Sequence, residues 1–215
     1  ADIYYYNCGD LGLGQITMWC HSRGRKLVYS VASDPDCDVS LPVLKPLRER
    51  TLYRHGLRHA DLVIVQSQRQ REMLHQGFRV QAVIVPMPRA ESGSTGNASS
   101  DCSHESSHVL WIGRISSEKR FEWLLDVAEK CPELSFDVVG AANADSCYAS
   151  APLERAAGVH NVQLHGRVPY EDMEKYYALG RVLCCTSAYE GFPNTFLEAW
   201  SRGIPVVSTL DPDSV

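Results

Sequence analysis

The chain has 215 residues, 44% hydrophobic and 22% charged, which is the composition of a globular protein with one large or two small cores. Its net charge of −5 divides unevenly: the first 88 residues carry 11 Lys/Arg against 8 Asp/Glu, the remainder 10 against 18. That profile lacks the concentrated basic face of a nucleic-acid binder, and eight scattered cysteines without a C-x-x-C pair argue against a zinc site or a disulfide framework.

In chain order, Ile3-Tyr4-Tyr5-Tyr6 reads as a strand, Gly12-Leu13-Gly14 opens a helix through Cys20 and His21, and 26–31 is the next strand. Gly12-x-Gly14 with Asp34 after the following strand fits an NAD(P)-binding unit, with Thr17 in place of the third glycine; the other reading is an ordinary βαβ turn. Asp34, Asp36 and Asp38 alternate as in a calcium loop but lack its glycine and closing glutamate, so a solvated loop is expected. A helix follows over 44–59, entered at Pro46, with Arg50, Arg54 and Arg58 on one face and Lys45 and Arg48 adding charge. Such a stripe is either a solvated face or a dock for an anionic membrane surface or lipid-phosphate acceptor.

A strand over 60–67 ends in the cap Ser67, a helix runs to a stop at Gly77, and 80–85 is a further strand. Residues 89–107 are polar, small and aperiodic, the character of a linker, so 1–88 and 108–215 are expected as separate domains. The Asn97-Ala98-Ser99 sequon carries no meaning in a cytosolic protein. Val109-Leu110-Trp111-Ile112 is a strand leading to Gly113 and Arg114. Phe121, Leu124, Leu125 and Ala128 mark the buried stripe of the next helix. Arg114 and Lys119 flank that loop, where they either clamp a diphosphate or sit as exposed charges at a turn. Strands at 135–139 and 162–166 and a helix over 170–179 follow, and His165 reads as structural.

The apolar run Val182-Leu183-Cys184-Cys185 then leads into Tyr189-Glu190-Gly191-Phe192-Pro193-Asn194-Thr195-Phe196-Leu197-Glu198. Glu190 and Gly191 fall on a strand-to-helix loop, Pro193 opens the helix, Glu198 lies on its first turns, and Gly203 ends it before the strand at 204–207. In an open parallel sheet such a loop faces the ligand crevice. A helix N-terminus there suits phosphate, and two carboxylates beside it suit neutral sugar hydroxyls. The residues alone point to a sugar-phosphate or nucleotide-sugar site.

Glu190-Gly191-Phe192-Pro193, the second acid Glu198 eight positions on, the Gly203-Ile204-Pro205-Val206-Val207 tail and the Gly113-Arg114…Lys119 loop together resemble the donor site of retaining glycosyltransferase family 4, the group 1 glycosyl transferases. The resemblance covers roughly 60–215 and departs at Arg120, where a glycine is common. It implies a GT-B fold: α/β, two Rossmann-like doubly wound parallel-sheet domains facing across a cleft. Both would be incomplete here, since the chain starts without Met and ends directly after a strand.

The same resemblance implies metal-independent transfer from a UDP- or GDP-sugar to a glycan, lipid or small-molecule acceptor, with no cofactor beyond the donor substrate. Arg114 and Lys119 would stabilise the departing diphosphate and Glu190 would hold the transferred sugar. Glu198 would hold the ribose and Val168 would lie at the base. Gly113, Gly191, Phe192, Pro193, Asn194, Thr195 and Phe196 would complete the donor site. The expected setting is cytoplasmic, peripheral at the membrane if the helix carrying Lys45 to Arg58 docks there. The rival readings are a non-catalytic nucleotide-sugar-binding fragment and an oxidoreductase built on the Gly12 unit.

Overall fold

The computed structural model describes residues 1–87, 108–142 and 147–211. The chain forms two compact units. The first takes Ala1–Pro88 with Tyr189–Phe192 and Asp211–Val215, the second Arg89–Ala188 with Pro193–Leu210. The expected linker over 89–107, with its sequon, lies outside the described residues.

The first unit runs β1 (Ile3–Tyr6), α1 (Gly12–Ser22), β2 (Lys26–Ser30), α2 (Asp34–Cys37), α3 (Leu47–His59), β3 (Leu62–Val65), α4 (Gln68–Phe78) and β4 (Val83–Ile84). Its four strands are parallel in the order β1-β2-β3-β4. Parallel neighbours need a crossover, and the helices supply it while covering the sheet with Leu13, Tyr53, Leu57 and Leu74. Tyr29 and Tyr53 meet edge-on in this core with hydroxyls 3.1 Å apart, and Tyr53 also donates to the Asp36 carbonyl. Buried phenols are tolerable because each is hydrogen-bonded.

Several expectations change here. The helix expected from Leu44 starts at Leu47, because Pro46 stays extended as its cap. The helix expected to stop at Gly77 continues to Phe78, and it is Arg79 that takes the left-handed turn, with φ 57°. The strand expected over 80–85 pairs only at Val83–Ile84. The solvated Asp34–Asp38 loop is instead a short capped helix. Asp36 accepts from the Ser33 amide and hydroxyl, Asp38 from the Ser40 amide, and Asp34 from Gln70, so the three carboxylates point to separate partners. The cationic stripe on α3 is also partly spent within the fold. Arg50 donates to the Leu44 carbonyl at 2.6 Å and Arg54 to that of Val39 at 2.9 Å, stapling the preceding segment, while Lys45, Arg48 and Arg58 remain exposed. Among the described residues no helix is long and apolar enough to cross a membrane.

The second unit runs β5 (His108–Ile112), α5 (Phe121–Lys130), β6 (Ser135–Val139), α6 (Ser150–Ala157), β7 (Val162–Gly166), a 3₁₀ turn at Tyr170–Asp172, α7 (Glu174–Leu179), β8 (Gly180–Cys185), α8 (Asn194–Trp200) and β9 (Val206–Ser208). Its five strands are parallel in the order β7-β6-β5-β8-β9. The chain first builds outward from β5 through β6 to β7, then returns to the other side of β5 as β8. The order therefore reverses between β5 and β8, the place where a doubly wound sheet opens a crevice at its carboxyl ends. Phe121, Leu124, Leu125 and Ala128 are the buried stripe of α5, packed with Trp111 and Phe136. His165 is structural: Asp137, buried on β6, takes its Nε2 at 2.6 Å and the Nδ1 of His108 at 2.5 Å.

Gly140, just past β6, has φ 145°, and a Cβ there would lie 1.8 Å from the Gly113 carbonyl oxygen. Gly140→Ala therefore has to displace the end of β5 or leave its backbone well. We expect a loss of about 3 kcal/mol or more in a denaturant titration. Asp36 gives a second test. Burial raises its pKa against the lowering effect of the Ser33 hydrogen bonds. The folded chain thus holds that proton to higher pH than the unfolded one, and stability falls as pH rises from the ordinary carboxyl range through the raised value. Asp36→Asn keeps an acceptor for Ser33 and removes the charge. Its Tm should exceed wild type at neutral pH, with the gain shrinking as the pH approaches about 4.

Candidate functional site

Two loops leave the carboxyl ends of the strands that flank the reversal. After β5 the chain passes Gly113, Arg114 and Lys119 before α5; after β8 it passes Thr186 and Ala188 before Tyr189. Hydrogen bonds fix one to the other. The buried Trp111 indole donates to Thr186 Oγ1 at 3.0 Å, and Thr186 Oγ1 donates to the Lys119 carbonyl at 2.7 Å. The Ala188 amide donates to the Glu118 carbonyl at 2.7 Å. The turn that carries Arg114 and Lys119 is thus clamped by its backbone against Thr186 and Ala188, the segment that leaves β8. Arg120, the departure from the family pattern, has φ 49°. A glycine would suit that left-handed position, and the arginine occupies it with its guanidinium 4.4 Å over the Trp123 ring.

Arg114 is exposed and pairs with Glu118 at 3.2 Å. Burial raises the Glu118 pKa, but hydrogen bonds from Ser116 and the backbone, with Arg114 and Lys119 nearby, outweigh it and hold the carboxyl below its ordinary value. Glu118 is therefore a resident anion beside the two cations, and an incoming diphosphate would have to compete with it. Val168 is half-buried between β7 and the 3₁₀ turn. Glu198 sits on the second turn of α8 and accepts from the Tyr177 hydroxyl at 2.5 Å.

The backbone amides around α8 are less available than the sequence suggests. Pro193 has none and remains extended as the cap, so α8 begins at Asn194 rather than at the proline. The Phe196 amide donates to the Pro193 carbonyl, and the Phe196 ring is core, packed on Trp200. That narrows the backbone contribution to Asn194 and Thr195, of which Asn194 is exposed and Thr195 half-buried. α8 is only seven residues long, so its dipole adds little positive charge at Asn194.

Tyr189–Phe192 belong to the first unit. Within it, the Phe192 amide donates to Gln66 Oε1 at 2.6 Å and the Asp34 amide to the Glu190 carbonyl at 3.1 Å. Gln66 is held in turn by Gln70, fully buried, whose Oε1 accepts from the Gln66 amide. A Cβ at Gly191 would lie 2.4 Å from the Ala32 carbonyl oxygen and 2.5 Å from Gln66 Oε1, so only glycine fits. Sequence reasoning missed Thr186, Gln66, Gln70 and Tyr177. Each is an ordinary polar residue whose partner is distant in sequence, and only the fold joins them.

The Gly12 unit is engaged by the chain's own groups. At the start of α1 the Gly12 amide donates to Asp10 Oδ1 at 2.7 Å, and Tyr6 donates to the same oxygen at 2.6 Å. The anion position of a pyrophosphate is filled by the chain's own carboxylate. Gly14 serves helix packing, since a Cβ there would lie 2.3 Å from the Leu52 carbonyl oxygen of α3.

Comparison with known proteins gives the family and the fold. A family described as Glycosyl transferases group 1 matches residues 106–213, half of the chain. The chain belongs to that family. It is 27% identical over 155 residues to the GtfA subunit of the UDP-N-acetylglucosamine–peptide N-acetylglucosaminyltransferase of Streptococcus pneumoniae, covering 68% of this chain and 30% of that one. It is 26% identical over 179 residues to the lipopolysaccharide 1,6-galactosyltransferase of Salmonella typhimurium, covering 80% and 43%. The crystal structure of Anabaena HepE with UDP-glucose superposes with a TM-score of 0.74 at 22% identity, over 96% of this chain and 59% of that one. The group 1 chain described here thus has the GT-B fold, and it spans less than half the length of these two curated relatives.

The resident anion gives a direct test. Glu118→Gln removes a negative charge beside Arg114 without touching the carbonyl that Ala188 uses. It should tighten UDP binding about two- to fivefold at low salt, with the gain fading as salt screens the pair. Unchanged affinity would show that Arg114 does not meet the phosphates.

Proposed function

We propose that this chain carries the donor-binding part of a retaining, metal-independent glycosyltransferase that moves a sugar from a UDP-sugar to a glycan or lipid-linked acceptor. The observation that carries this reading is the clamp between the two loops at the strand-order reversal, which sets Arg114 and Lys119 beside the segment leading to Glu190. UDP-bound structures among the fold's neighbours, such as HepE, favour uridine over guanine.

In this reading Arg114 as a fork and Lys119 as a point charge take the diphosphate, helped by the amides of Asn194 and Thr195. Charge builds on the leaving diphosphate as the glycosidic bond breaks. Donors placed in advance stabilise that charge, and removing one costs about 3 kcal/mol of barrier. Glu190 accepts from hydroxyls of the transferred sugar, and Glu198 from the ribose. Gly113, Gly191, Phe192, Pro193 and Phe196 shape the backbone around them, and Val168 lies at the base. The acceptor attacks from the face the diphosphate leaves, and a leaving phosphate oxygen takes its proton. The first unit reads the acceptor. The setting is cytoplasmic, and any peripheral membrane contact would rest on Lys45, Arg48 and Arg58.

Calorimetric titration with UDP, GDP and NAD tests the reading. UDP should bind, and Arg114→Ala and Glu198→Ala should each weaken it about tenfold or more. Glu190→Ala should leave UDP affinity within about twofold and remove the added affinity of UDP-glucose over UDP. NAD binding that ignores both Arg114 and Glu198 would move the function to the Gly12 unit and overturn the proposal.

A further inference from the structure

We infer that Tyr177 is the positioning residue that sets Glu198 for the nucleotide ribose, and that Arg202 holds Tyr177 in place. The inference rests on the donor-site reading above and adds to it a residue, outside the donor motif, that decides how well the ribose is recognised.

Tyr177 lies on α7 and is 2% exposed, yet its hydroxyl reaches across to α8 and donates to Glu198 Oε2. A phenol has one proton to donate, and here Glu198 receives it. Burial, and then the hydrogen bond to Glu198, push the Tyr177 pKa far above its ordinary value, so the proton stays on the phenol. Glu198 is thereby oriented as an acceptor: one carboxylate oxygen is taken up by a buried, neutral donor, and the direction of the other follows from it.

Arg202 completes the arrangement. Its guanidinium lies 4.5 Å over the Tyr177 ring, it donates to the Glu198 carbonyl at 2.9 Å, and Glu174 on α7 takes its Nη2 at 2.7 Å. One cation thus touches the phenol, the backbone of the acid and the helix that carries the phenol. The identity of the phenol matters because phenylalanine fills the same volume but leaves a half-buried carboxylate oxygen without its donor.

The test compares UDP with 2′-deoxy-UDP, since a ribose-reading acid discriminates between them. In wild type UDP should bind more tightly. Tyr177→Phe should lower UDP affinity about tenfold while changing 2′-deoxy-UDP much less, so that the ratio narrows. In a Glu198→Gln background the same substitution should cost little more, because both act on one contact. If Tyr177→Phe fails to fold, Arg202→Lys, which keeps the charge but loses the stacked fork, should narrow the ratio about threefold. A ratio unchanged in the folded variants, or both nucleotides weakened equally, would show that Tyr177 only packs, and would overturn the inference while leaving the donor site standing. Wild type that binds neither nucleotide would remove the donor-site reading, and this inference with it.

Discussion

The second unit depends on how two backbone turns are tied at the reversal of strand order. Trp111, Thr186 and Lys119 form a relay in which a buried indole, a buried hydroxyl and a carbonyl satisfy one another. Each group would be costly to bury alone, and paired they are cheap. The relay converts a topological fact, that β5 and β8 are neighbours, into a fixed distance between the turn that carries Lys119 and the segment that leaves β8. Rigid elements place chemistry more reliably than free loops do, and this clamp gives a loop the rigidity of the sheet below it.

Charge is arranged along the same lines. The cations at the rim are not bare: Glu118 sits with Arg114, and α8 is too short to add much dipole. The acids are likewise tied down, Glu198 by Tyr177 through its side chain and Glu190 through its backbone carbonyl.

Much of this was legible in the sequence, and the limits have physical causes. Strands such as Lys26–Ser30 and the α5 stripe follow from local periodicity, which the chain states openly. Turn glycines were harder. Gly77 looked like a stop but packs against Val39 inside α4, and the left-handed residue is Arg79, because the cap is chosen by where the helix must turn toward β4. The Gly12-x-Gly14 pattern looked like a phosphate cradle, yet Asp10 fills the anion position and Gly14 lets α1 approach α3. The arginine stripe on α3 was periodic but only partly solvated, since carbonyls of the preceding segment claim two of its members while Arg58 stays exposed. Motifs with fixed spacing, Glu190 to Glu198 and Gly113 to Lys119, were readable. Their supports, Thr186 and Tyr177, were not, because a hydrogen bond between distant residues leaves no periodic trace.

The relay has an optical consequence. Of the four tryptophans, Trp19, Trp123 and Trp200 are about 40% exposed, while Trp111 is 2% exposed with its indole N–H bonded to the hydroxyl that holds the Lys119 turn. A water-borne quencher reaches the first three and spares the fourth. What remains is blue-shifted emission from a single chromophore directly below the cationic turn, so the chain carries its own fluorescent reporter of that turn's state without any label.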